Sequence, residues 1–321
     1  MKRAISIALA AASLFALAFS YGCNNLIART RMAVYDESGF SVGNKVYEEK
    51  INSLEVDWQF GNAEVIETDG EISVTEKNDL PEKNKLRSKI ENGVLKIMFW
   101  QSGLEDSLDN VSDKNVAIKI PEKLNEIRIV TLSASVSAEK LSAKTLEIKT
   151  TSGAADLGKI TAETVDVGSV SGGLRADEVC ADRTVKFAAT SAKTEVKKVE
   201  GDEVEFGSVS GEISLPGTVT CKKLKAESTS GAIKIGTVRA TTIELTSVSG
   251  KIKAELNEGE KCVMETTSGN LELSFGLGAE VTFSSNGKFL GEGGNNRLYG
   301  DGKCKIFAES VSGNLSVSYS E

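Results

Sequence analysis

Histidine is absent from all 321 residues. Its absence removes the commonest general base, the usual metal ligand, and every Ser-His or Cys-His nucleophile. No basic stripe is present either, and the formal charge is −8, so the chain lacks the electrostatic footprint of a nucleic-acid binder. Within the repeats described next, the helical spacing of three and four is absent. The tandem Gly-Gly-x-Gly-x-Asp nonapeptide of calcium-binding β-rolls is missing. The Gly-rich stretch 291–302 is followed by no helix that could receive a phosphate or dinucleotide.

What is present is a phrase, Ser-Gly, that recurs through the C-terminal two-thirds. It stands at Ser152-Gly153, Ser171-Gly172, Ser210-Gly211, Ser230-Gly231, Ser249-Gly250 and Ser268-Gly269, softened to Ser133-Ala134 and Ser191-Ala192. From Ala134 to Gly269 the steps are 19, 19, 20, 19, 20, 19 and 19; Asn286-Gly287 follows after 18 and Ser312-Gly313 after 26. A fixed period of this length marks a solenoid, each repeat forming one coil stacked on the last.

Apolar residues alternate with period two on both sides of each glycine. Seven before it run Leu146, Val165, Val185, Val204, Leu224, Ile243, Cys262 and Ile306; five before run Ile148, Val167, Phe187, Phe206, Ala226, Leu245, Met264 and Ala308. Two after run Ala155, Leu174, Thr194, Ile213, Ile233, Ile252, Leu271 and Leu315; four after run Leu157, Ala176, Val196, Leu215, Ile235, Ala254, Leu273 and Val317. Each copy reads strand, turn, strand, then a short third segment ending near Ile160, Val179, Val199, Val219 or Val238. A unit this short cannot fold alone, so like positions must stack at about 4.8 Å. The prediction is an all-β, single-stranded parallel β-helix of 19–20 residues per coil, right-handed by the rule for parallel crossovers. The turn glycine is expected to supply a positive φ, with Ala192 the copy lacking that freedom.

Outward columns carry charges that mostly change sign from coil to coil: Glu147, Asp166, Lys186, Glu205, Lys225, Glu244, and Asp156, Arg175, Glu195, Ser214, Lys234, Lys253, Glu272. These read as solvated register ladders. Glu147 and Asp166 are like-charged neighbours, about 5 Å apart if the coils stack. They are the only acidic neighbours in that column, where a carbohydrate-active β-helix enzyme could find a carboxylate pair.

Residues 1–22 read as a secretory signal: Lys2 and Arg3, then an apolar run from Ala4 to Ala18. Cys23, after Gly22, fits a bacterial lipoprotein signal and is the predicted lipid-attachment residue; Ser20 and Tyr21 depart from that pattern. Cleavage after Ala16-Leu17-Ala18 and an uncleaved anchor are the alternatives. All three export the body of the protein. Residues 23–42 form a tether, and 43–130 an N-terminal β cap hiding the open strand edge. Residues 131–321 form the repeats, with a Gly-rich excursion at 287–303. Within the cap, Gly61-Asn62, Asp69-Gly70 and Asn92-Gly93 signal hairpins, and the acidic stretch Ser102–Asn115 an exposed loop.

Five cysteines in an exported chain suggest disulfides. Yet Cys180, Cys221, Cys262 and Cys304 fall about two coils apart, close to 10 Å, beyond the roughly 7 Å a disulfide spans. Reduced, buried thiols are expected.

Repeats such as 164–172 (Thr-Val-Asp-Val-Gly-Ser-Val-Ser-Gly) and 242–250 (Thr-Ile-Glu-Leu-Thr-Ser-Val-Ser-Gly) resemble the bacterial adhesin-like β-strand-repeat proteins of unknown function, of the autotransporter-adhesin type. Leu54–Ile66, Ile118-Lys119-Ile120-Pro121 and the closing Ser310-Val311-Ser312-Gly313-Asn314-Leu315 carry the same resemblance, over roughly 46–319. It implies a β-solenoid at the cell envelope, without catalytic residue, metal or cofactor. The function expected is a non-enzymatic, adhesin-like binding or structural module. Its partner would be a cell-surface or envelope protein or glycan, and its membrane contact the N-terminal lipid or signal anchor. An envelope sensor binding another exported protein is the alternative.

Overall fold

The computed structural model describes residues 37–99, 114–276, 278–285, 289–290 and 296–319. Among them the secondary structure is all β apart from one 3-10 turn, Glu82–Asn84. The strands form a parallel β-solenoid of about eight turns, in two compact units, one reaching Ala181 and one starting at Asp182.

In the first unit lie β1 (Ser41–Val42), β2 (Lys45–Tyr47), β3 (Ser53–Trp58), β4 (Asn62–Glu67), β5 (Ile72–Glu76) and β6 (Arg87–Glu91). They are followed by β7 (Val94–Met98), β8 (Val116–Ile120), β9 (Leu124–Thr131), β10 (Ser135–Thr150) and β11 (Ala155–Ser169). Strand β12 (Leu174–Ala189) starts in this unit and ends in the next. The repeating coil is clearest at β10 and β11, parallel and offset by 19 from Val136↔Ala155 to Thr150↔Ser169.

The second unit holds β13 (Thr194–Ser208), β14 (Ile213–Ser228), β15 (Ile233–Ser247), β16 (Ile252–Glu258), β17 (Lys261–Thr266) and β18 (Leu271–Phe275). It closes with β19 (Ala279–Ser285), β20 (Phe289–Leu290), β21 (Asn296–Tyr299), β22 (Cys304–Ser310) and β23 (Leu315–Tyr319). Strand β14 carries one residue more than its neighbours. The pairing shifts between Leu215 and Thr218, so Pro216-Gly217 absorbs a 20-residue step without disturbing the inward columns.

Those columns are the core. Every residue of the four apolar columns is buried except Val317, which is half-buried. Ile160, Val179, Val199, Val219 and Val238 close the third side, each at most 1% exposed. Phe187 and Phe206 stack in register with centroids 5.6 Å apart. Alternation thus decides which side chains face in, and within each unit stacking turns the columns into apolar ladders.

The turn glycines correct the sequence-based expectation. None of Gly153, Gly172, Gly211, Gly231, Gly250, Gly269 or Gly313 has a positive φ. They are glycines for lack of room: a Cβ at Gly172 would lie 1.7 Å from the Gly153 carbonyl oxygen, and one at Gly250 2.0 Å from that of Gly231. At each of these glycines the bare Cα receives the backbone carbonyl of a neighbouring turn.

Beneath these turns runs a buried hydroxyl column that the sequence reading passed over: Thr131, Thr150, Ser169, Ser208, Ser228, Ser247, Thr266 and Ser310, three residues before each turn residue. The Thr150 hydroxyl donates to the Gly153 carbonyl at 2.8 Å. Ser247 Oγ accepts from the Gly250 N–H at 2.8 Å, as Ser310 Oγ does from Gly313. In the turn at Ala189–Ala192 both the hydroxyl and the glycine are replaced by alanine.

Coil order departs from chain order at both ends. Strand β3 pairs in parallel with both β7 and β9, and β4 with both β8 and β10. The coil at 53–67 therefore lies between two later ones. Likewise β22 pairs with β17 and β19, and β23 with β18 and β20. The last coil in sequence is inserted between 261–275 and 279–290. Short antiparallel strands finish each stack: β1 and β2 on β6 and β5, and β21 on β19. Of the three hairpin signals, only Asn92-Gly93 joins paired strands, β6 and β7, with φ of 53° and 77°. Gly61 is a coil corner pressed on the Lys114 carbonyl, where a Cβ would lie 2.1 Å away.

A buried ion pair anchors the N-terminal strands. Lys114 Nζ lies 3.1 Å from Glu76 Oε1, with side chains 1% and 3% exposed. It also lies 4.1 Å and 4.8 Å from the ring centroids of Phe99 and Trp58. Burial pulls the Lys114 ammonium down to about 8, against the opposing pull of Glu76. Glu76 also accepts from the Leu86 N–H at 2.8 Å.

Two outcomes test this account. Gly250→Ala should cost about 1–3 kcal/mol or more in denaturant unfolding, whereas a flexible-turn role would leave the midpoint almost unmoved. Glu76→Gln strands a buried ammonium and should cost about 3–5 kcal/mol; a loss below about 1 kcal/mol would count against the pair.

Candidate binding surface

The outer face of the coils places the predicted carboxylates where stacking requires. Glu147 and Asp166 are register partners on β10 and β11. Neither is free for acid–base work. Arg128 Nε holds Glu147 at 3.1 Å and its NH1 reaches Glu55 at 3.3 Å; Lys149 holds Asp166 at 2.6 Å. Both are paired with cations on the outer face, and these ion pairs occupy the carboxylates that a hydrolytic pair would need free.

Other ladder charges are also engaged, often diagonally rather than straight up a column. Lys186 reaches Glu205 at 3.8 Å up its own column, and Arg175 reaches Asp156 at 3.8 Å. Lys225 instead takes Glu227 on its own strand at 3.0 Å, while Glu212 lies between Lys193 and Lys234. Column reading predicted the charges' placement but not their partners, because long side chains reach diagonal neighbours.

A groove of about 640 Å³ opens on this surface in the first unit, between β4, β10 and β11. Glu64, Glu122, Glu139, Asp156 and Asp177 line it, with Lys140 among them. Lys140 pairs with Glu122 and, at 3.6 Å, with Glu67. Hydrogen bonding to Glu122 raises the Lys140 ammonium above its ordinary value. Glu67 itself is buried and also accepts from Ser142. Sequence columns alone could not find this groove, since Glu64 and Glu122 come from the non-repeating segment. Among the described residues, no group of three or more cysteine, aspartate or glutamate side chains could hold a metal ion.

All four described cysteines are free thiols. Cys262 and Cys304 are buried, while Cys180 and Cys221 are only half-buried. Burial pushes the Cys221 thiol up to about 12 and that of Cys304 up to about 11. The spacing expected between Cys262 and Cys304 is corrected by the inserted coil: β22 lies directly beside β17, so the two thiols stand on adjacent coils. Cys23, residues 24–36, most of the acidic stretch 102–115 and parts of the Gly-rich excursion lie outside the described residues. Within the excursion, Asn296–Tyr299 is the antiparallel strand β21, and Gly300 and Gly302 have positive φ.

A profile of the family described as Toastrack DUF4097 matches residues 50–215 and again 178–288. Three solved structures are similar over most of their length. A candidate adhesin from Parabacteroides merdae is 13% identical with a TM-score of 0.46, covering 88% of this chain and 97% of that one. A candidate lipid-binding protein from Parabacteroides distasonis is 14% identical at 0.42, covering 87% and 97%. A candidate adhesin from Bacteroides fragilis is 13% identical at 0.37, also covering 87% and 97%. No curated protein matches the chain.

Arg128→Met should lower stability by up to about 1 kcal/mol at low salt, with the loss shrinking in high salt as the ladder is screened. A salt-independent loss would assign Arg128 a packing role instead.

Proposed function

The chain belongs to the Toastrack DUF4097 family, and we propose that it is a non-enzymatic, exported β-solenoid of the cell envelope. In this reading the signal at 1–22 directs export, Cys23 carries the lipid anchor, and 23–42 is the tether. The solenoid presents its outer face to a cell-surface or envelope protein or glycan. The observation that carries the reading is the state of the outer charges: carboxylates that stacking brings together are held in ion pairs on an open face. Such a surface recognises by shape and charge pattern. The groove at Glu139, Lys140 and Asp156 is a concave part of it, and its acidic lining suits a partner presenting amine or guanidinium groups.

Fractionation and cross-linking on intact cells test this together. Wild-type protein should sediment with membranes, and Cys23→Ala should move to the soluble exported fraction. Double reversal, Glu139→Lys with Asp156→Lys, should cut the captured partner roughly tenfold or more at low salt. Membrane retention by Cys23→Ala would reject the lipid anchor, and undiminished capture by the reversal variant would reject the groove. Hydrolysis or lyase activity on an acidic polysaccharide, lost in Glu147→Gln, would overturn the non-enzymatic reading.

A further inference from the structure

The seam where β17 meets the inserted strand β22 brings two acidic side chains together without a compensating cation among the described residues. Its register sets Lys261 opposite Lys305 and Glu265 opposite Glu309, so both charged pairs across it are of like sign. Like charges directly opposite each other on adjacent strands destabilise the pairing. The seam of β10 and β11 also carries two like pairs, Lys140↔Lys159 and Glu147↔Asp166. There, all four members have an oppositely charged partner: Glu122, Glu178, Arg128 and Lys149 in turn. Neither Glu265 nor Glu309 has an ion pair among the described residues, and Glu309 Oε1 is shut away from solvent without a hydrogen bond.

The surroundings supply no rescue. From β15, Glu244 and Thr246 face Glu265, and Glu244 is engaged by Lys223 at 3.6 Å. On the far side, β19 offers Ser284 opposite Glu309 and Glu280 opposite Lys305, with Lys305 drawn to Glu280 at 2.5 Å. One coil further back, Lys225 is taken by Glu227. Lys261 and Lys305 stand four residues along their strands, roughly 13 Å away. The inserted coil is thus attracted to its outer neighbour and repelled by its inner one.

We propose that the β17–β22 seam is a pH-sensitive opening point, closed when Glu265 carries a proton beside Glu309 and loosened when Glu265 is ionised. Burial, then Glu309, then Glu244 raise the Glu265 carboxyl above its ordinary value. A carboxyl raised in the folded state stabilises the fold fully below its unfolded value near 4.3. That contribution is lost as pH rises through the raised value. The closed seam is therefore the acidic state, and neutral or alkaline conditions loosen it. This inference is independent of the anchor and of the groove.

Cys262 and Cys304, both fully buried and beside this seam, report its opening. Full-length wild type and Glu265→Gln are labelled with a neutral maleimide at one fixed alkaline pH, each thiol being followed by peptide mass spectrometry. The substitution removes one charge without changing shape, so both thiols should label roughly two- to fivefold more slowly, with Cys221 unchanged. Amide protection in β22, corrected for intrinsic exchange, should rise in wild type as pH falls toward about 4.3, and not in the variant. Equal or faster labelling, an equal slowing at Cys221, or a pH response retained by Glu265→Gln would each overturn the proposal.

Discussion

Everything in this fold depends on how closely one turn lies on the next. With a backbone carbonyl lodged against the Cα below it, as the Gly153 oxygen is against Gly172, successive coils have no freedom to slide. Strand pairing then fixes like positions above each other. That register makes ladders of Ile, Leu and Val on the inside and of charge on the outside. Hydrophobic burial supplies the driving force, but the turn sets the alignment in which it acts. The hydroxyls at Thr150, Ser247 and Ser310 reinforce it by satisfying turn groups that water cannot reach.

A stack of coils has two ends, and each would expose an unpaired strand and a fraying terminus. Here the first and last coils of the solenoid are placed one layer in, with a neighbour on either side. The outermost layers are instead finished by antiparallel strands of two to four residues, too short to template another chain. The N-terminal end adds a buried Lys114–Glu76 pair beneath Trp58 and Phe99. Inserting the last coil has an electrostatic consequence: its outward charges meet strands that sequence order would not have placed beside it. The unpaired carboxylates of Glu265 and Glu309 arise there.

The inward columns were legible residue by residue, because a period of two around a fixed 19-residue step leaves little choice of face. The role of the glycines was not, since a repeated Gly looks the same whether it serves conformation or space. The hydroxyl column was visible as Thr131, Thr150, Ser169 and their successors, but Ser and Thr beside a turn are common enough to pass for turn residues. Coil order at the ends was hidden for a different reason. A repeat specifies which residues are equivalent, and Gly313 fits on Gly269 as well as it would on a later turn. For the same reason the Cys262 and Cys304 spacing was overestimated. The acidic groove draws Glu64 and Glu122 from outside the repeat, where no column predicts their position.

The last coil of the chain lies inside the stack, between 261–275 and 279–290. The most direct test uses cysteine pairs in a chain whose native cysteines are replaced by alanine. Val263→Cys with Phe307→Cys joins register partners on β17 and β22, about 4.8 Å apart and within disulfide reach. Val263→Cys with Thr282→Cys spans two coils, about twice that distance. Rapid oxidative cross-linking is expected of the first pair and none of the second. Cross-linking of the second pair in preference to the first would show coils stacked in chain order and contradict this placement.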